Sequence, residues 1–188
     1  MGVRFMEQDA GLPVSQQKMH KDFFDKCDTA IENGFYFEAI LLEYAALESR
    51  LEVILGILQM PCNKDLESGK RKDIKISHRI QCLNYMRKHS PVFENTKLEK
   101  NFFEKNHLVK WIKSRNIYIH GLYKNGQEYE NRKAECKELA IQGREYCRLL
   151  YNEAKRLNRL LKNHPDAFEQ HIRCCRSKSC IVSEKKTQ

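Results

Sequence analysis

An arginine and a histidine, Arg115 and His120, sit within an otherwise largely apolar stretch that runs from Leu108 to Tyr123. Arginine grips a phosphate through a planar, permanently charged fork, and histidine moves a proton near neutral pH. Together they are the minimum equipment for cleaving a phosphodiester. Asn116, directly after the arginine, is four residues before the histidine and can share a helical face with it. Arg115 cannot: five steps along a helix of about 3.6 residues per turn rotate a side chain by roughly 140°. Either the helix breaks between the two residues or two chains bring their copies together. Gly121 follows the histidine and favours a helix end. That would leave His120 in a last turn of its helix.

The elements that must position these residues read as helices. The chain has 188 residues with only 4 prolines and 8 glycines, a composition that suits long helices in one domain with a sizeable core. Residues 1–14 have little periodicity and read as a lead-in; residues 15–172 read as the helical domain. A first helix is expected from Ser15 to Glu32, stopped by Asn33-Gly34. A second, from Phe35 to Gln59, carries Phe37, Ile40, Tyr44, Leu47, Leu51, Ile54 and Leu58 in alternating three- and four-residue steps. That is the seam of a helix packed against antiparallel neighbours, with Glu43, Glu48, Arg50 and Glu52 off it. A third helix is expected near Ser77, a candidate N-cap, and Ser90-Pro91 breaks it.

The fourth helix, beginning near Lys97, carries Arg115 and His120. Leu98, Phe102, Val109, Ile112, Asn116 and Ile119 fall on one side of it, and Trp111, Arg115, Tyr118 and Leu122 on another. A helix apolar on two sides packs against two things, the second being the bundle or another copy of the chain. A long last helix is expected from Tyr129 to Asn163, with Leu139, Tyr146, Leu150, Leu157 and Leu161 inward and His164-Pro165 ending it. The fold class that follows is all-α: an antiparallel bundle of four long helices plus an N-terminal helical segment.

The run Arg115-Asn116-Ile117-Tyr118-Ile119-His120, with Gly121 after it, resembles the Arg-x4-His motif of the HEPN superfamily. The Glu38-to-Glu48 run of the second helix is similar to the helix that precedes the motif helix in those proteins. The resemblance implies an all-helical, metal-independent endoribonuclease without a cofactor, working as a homodimer on RNA, in a toxin or antiviral-defence setting. It also admits an antitoxin or other regulatory protein as partner. Arg115, His120 and Asn116 would be catalytic. Tyr123 is a candidate for substrate contact, and Arg144 and Arg148 on the last helix are candidates for holding flanking phosphates. The alternative is a HEPN-like domain that binds RNA, a nucleotide or a protein without cleaving.

Formal net charge is +9, concentrated after the motif. Arg132 to Lys162 holds nine Lys/Arg against four Glu, and the basic tail, residues 173–188, holds five against one. A polyanionic partner fits this balance, as does a solvated helix face plus a disordered tail. None of the eight cysteines forms a C-x-x-C pair, so no metal site is expected. Cys27 and Cys82 fall on apolar helical positions as reduced thiols; Cys174, Cys175 and Cys180 lie in the basic tail. No apolar run approaches the roughly 20 residues of a membrane span, and the first residues lack a secretory signal's apolar core. The expected location is the cytoplasm, with no membrane partner.

Overall fold

The computed structural model describes residues 14–58, 75–93, 96, 98, 107–124, 132–166 and 169. The readings of the lead-in, of the basic tail, and of Cys62, Cys174, Cys175 and Cys180 lie outside these. Among the described residues the chain is entirely helical: α1 (Val14–Glu32), α2 (Tyr36–Ile57), α3 (Ile76–His89), a single 3-10 turn (Pro91–Phe93), α4 (His107–Lys124) and α5 (Lys133–Asn163).

The α1–α2 corner forms where the sequence placed it. Gly34 takes a positive φ of 78°, which a side chain would oppose. Its N–H then reaches the Ile31 carbonyl at 3.1 Å, and Phe35 N–H reaches Ala30 at 2.8 Å, closing the carbonyls α1 leaves open. The Asn33 side-chain amide adds a bond to Thr29 O at 2.7 Å.

α5 is the spine of the molecule. At about 1.5 Å per residue, its 31 residues extend roughly 46 Å. One face is buried from Cys136 through Leu139, Ala140, Gly143, Cys147, Leu150 and Ala154 to Leu157. α1 and α4 run antiparallel to it: Asp28 meets Arg144 while Phe24 meets Tyr151, and Trp111 meets Leu139 while Tyr118 meets Glu135. α2 runs parallel to it. Gly34 lies beside the Lys133 side chain, the Cys147 thiol donates to Glu43 O at 3.4 Å, and the Arg50 guanidinium lies 5.7 Å from the Tyr151 ring centre. The α2 seam is thus met by α5 in the parallel sense, while α1, which runs against both, supplies an antiparallel neighbour.

Three further expectations are corrected. Glu43 and Arg50 are buried, since α2 is covered by α1, α3 and α5 over a wider arc than one seam. Trp111 is 2% exposed: its indole N–H donates to Leu139 O at 2.8 Å and its ring meets Tyr146 edge-on at 6.4 Å. It belongs to the core of one chain and not to a surface for a second copy. Third, α4 does not stop at Gly121; it continues to Lys124, with the Arg132 side chain lying across the glycine. As for the cysteines, Cys27, Cys82, Cys136 and Cys147 are all buried. Burial pushes the Cys27 thiol up to about 12, so it acts as a small hydrophobe.

Candidate functional site

Arg115 is half-buried on α4. Its guanidinium carbon lies 4.1 Å from the centre of the Tyr44 ring of α2, a distance at which the ring's negative face attracts a cation. Nη1 donates to the Asn116 side-chain oxygen at 2.9 Å. Nε is buried and has no hydrogen-bond partner. The fork is thus fixed from two sides, by an aromatic floor and by an amide on its own helix. Tyr44 appears in the sequence only as one member of the α2 seam; an aromatic hydroxyl among aliphatic neighbours was the available sign of a second task.

His120 is exposed, one turn ahead of the end of α4. Because the helix is unbroken from His107 to Lys124, the rotation between Arg115 and His120 is preserved. A single chain therefore holds the arginine inward on Tyr44 and presents the histidine outward. Asn116, half-buried, lies one turn before His120 and spends its oxygen on Arg115, which leaves its amide N–H groups as donors.

Beyond the histidine, the Tyr118 hydroxyl donates to Glu135, and the Arg132 guanidinium lies 5.5 Å from the Tyr118 ring centre. Arg132 also lies 3.7 Å from where a side chain on Gly121 would begin. Burial, then the hydrogen bond and charge of Glu135, push the Tyr118 hydroxyl up to about 12. It stays protonated and serves as a donor, not as a base. This group brings a second arginine to the turn that follows His120, and only the packing of α4 on the start of α5 reveals it.

The remaining sequence candidates are dispersed. Arg144 is clamped to Asp28 of α1 at 2.5 and 2.6 Å, with the Phe24 ring 4.2 Å away. That bidentate grip joins α1 to α5 and occupies the donors a phosphate would use. Arg148 is exposed on α5. Tyr123 falls in the last turn of α4, and its side chain lies outside the described residues. Glu48 faces Arg79 at 3.8 Å, and His107 is exposed at the start of α4.

No family model, curated protein or solved structure matches the chain. The likeness to HEPN proteins therefore rests on Arg115, Asn116, His120, Gly121 and the order of the helices.

Proposed function

We propose that the chain is a metal-independent endoribonuclease of the HEPN type. The observation that carries this reading is Arg115 held by the Tyr44 ring and the Asn116 amide on the same continuous helix as an exposed His120. RNA brings its own nucleophile, the 2′-hydroxyl, so attack on the adjacent phosphorus needs no covalent protein group. His120 takes the proton of that hydroxyl or returns one to the leaving 5′-oxygen, work typically worth about 10² to 10⁴ in rate. Arg115 stabilises the charge developing on the phosphate oxygens, and losing such a donor costs about 10² to 10³.

The divergence of the two side chains on α4 calls for a second copy of the chain, so that the arginine of one protomer meets the histidine of the other. A symmetric homodimer supplies this, since a two-fold interface presents each residue twice around one cleft. The setting in this reading is cytoplasmic, as a toxin or defence nuclease restrained by an antitoxin or similar protein.

The test is purified protein with end-labelled single-stranded RNA in EDTA. We expect products with 2′,3′-cyclic phosphate ends, with the rate lowered at least about 10²-fold in Arg115→Ala and in His120→Ala. Activity that survives both substitutions sinks the reading. A second reading, binding without cleavage, is favoured by one observation: an Arg115 donor is already used on Asn116. Binding with no product in EDTA would select it.

A further inference from the structure

The outward face of α4 carries an unusual balance of charge. Lys110, Lys113, Ile117 and His120 follow one another at steps of three, four and three residues, which places them on one stripe of the helix. Lys110, Lys113 and His120 are exposed, and Ile117 is the most exposed large apolar side chain described, at 63%. α4 contains no Asp or Glu at all. Among the described residues, no ion pair reaches Lys110, Lys113 or His120.

On α5, where the sequence carries more basic residues, the structure disposes of charge differently. Arg144 is taken by Asp28, and Arg156 by Glu153 at 2.7 Å and by the Val92 carbonyl at 2.8 Å. Four glutamates are interleaved along the same helix. Lys137, Arg159 and Lys162 of α5 are likewise exposed and outside any ion pair among the described residues, and Arg132 lies at the turn after His120. What sets α4 apart is that its cations have no acidic residue on their own helix.

The geometry points to the Lys110–Lys113–His120 stripe of α4 as the track on which the phosphate backbone of single-stranded RNA lies. This rests on the nuclease reading for its substrate, and it moves the binding track from α5 to α4. Lys110 and His120 are separated by about 15 Å along the helix axis, enough to span more than one phosphate of an extended strand. Unpaired lysine ammonium groups hold phosphates as mobile point charges without reading sequence. Ile117 offers an apolar contact between the cations for the face of a base. The polynucleotide then enters along Lys110 and Lys113 and arrives at His120, with Asn116 at the edge of the same stripe. A two-fold axis through Lys110 and Lys113 would set these cations against their own duplicates, so the second copy of the nuclease reading would meet α4 at its His120 end and leave the lysines to the polynucleotide.

The experiment uses the full chain and a fluorescent single-stranded oligonucleotide with 2′-O-methyl sugars, which cannot be cut through a 2′-hydroxyl. Anisotropy is followed from low to high salt. Each phosphate contact to a single strand contributes about 0.7 to the slope of log K against log salt, so Lys110→Ala/Lys113→Ala should lower it by about 1.4. The exposed pair Arg159→Ala/Lys162→Ala, on α5, should leave it unchanged. Circular dichroism checks that both variants keep their helices.

An unchanged slope in the α4 variant, or a fall in the α5 variant instead, overturns the track. So does no binding by the unaltered chain. Equal displacement by poly-glutamate of matched length would assign the stripe to an acidic protein, and tighter self-association of the α4 variant would assign it to a second copy; either result also overturns it. Cleavage of ordinary RNA with an unchanged slope sinks the track and spares the nuclease reading. A slope lowered as expected without cleavage does the reverse.

Discussion

Two parts of α4 handle charge in opposite ways. Where its inner side meets α2 and α5, Trp111 packs against Gly143, and Glu43 of α2 fills the same joint with no exposure to solvent. Neither Glu43 oxygen has a hydrogen-bond partner, and the nearby cation, Arg144, is already bound to Asp28. Burial pushes the Glu43 carboxyl from 4.5 up to about 9, with Arg144 pulling it down and Asp28 pushing it up in smaller measure. On the outward side, the cations remain in water and without ion pairs among the described residues. An ionisable group taken out of water is neutralised and becomes packing; one left in water stays charged and available to a ligand. The inner joint should therefore govern stability, and the outer stripe should govern binding.

The largest expected effect tests the inner joint through its proton. Between about 4.5 and 9 the folded chain holds a proton on Glu43 that the unfolded chain has lost. The folded state binds more protons across that window, so stability falls as pH rises through it. At about 1.4 kcal/mol per unit, Glu43 lowers stability by roughly 4 kcal/mol between pH 5 and pH 8. Glu43→Gln keeps the shape of the neutral acid and removes the titration. Urea unfolding of both proteins at several pH values should show a gap in favour of the variant that widens from pH 5 to pH 8. A constant gap would mean that Glu43 is already ionised at pH 5 and that the joint tolerates charge.

Next in size is Gly143→Ala. A methyl group there would sit 2.6 Å from Trp111 Cζ2 and closer still to a Glu43 oxygen. The glutamate can turn aside, but the indole is held by its bond to Leu139 O and by Tyr146. Overpacking of this kind costs about 1–3 kcal/mol, and here we expect the upper end. The measurement is the urea midpoint of the variant at pH 5, where Glu43 titration contributes little. A midpoint equal to that of the native chain would show that α4 is free to move away from α5.

How much of this could be read in the sequence divides along the same line. The apolar steps of α2 placed Ile40, Leu47, Leu51, Ile54 and Leu58 in the core, and Asn33-Gly34 marked the corner, because both signals are local. Glu43 and Arg50 were placed off the α2 seam yet are buried, because a position off one seam is exposed only when a helix has one covered side. Arg144 reads as a phosphate ligand until Asp28, far away in sequence, is found in its grip. Gly121 reads as a stop, yet the roughly 1 kcal/mol helix penalty of glycine is small against the packing of α4 on α5. Arg115, Asn116 and His120 were legible as residues. Their divergence was legible too, since it follows from spacing alone, whereas the Tyr44 floor depends on how α2 and α4 meet.

The smallest expected effect falls on the stripe. Lys110 and Lys113 are exposed on α4 and form no ion pair among the described residues, so removing them takes nothing from the folded state except two repelling charges. Alanine is also the better helix former by a few tenths of a kcal/mol. Lys110→Ala/Lys113→Ala should therefore change unfolding free energy by no more than about 0.5 kcal/mol at pH 7, in contrast to both substitutions in the joint. Thermal and urea unfolding of the same sample used for oligonucleotide binding would check it. A loss of 2 kcal/mol or more, on the order of an interior defect, would mean that the lysine stems pack against the bundle. The division between a neutral joint that stabilises and a charged face that binds would then fail on its outer side.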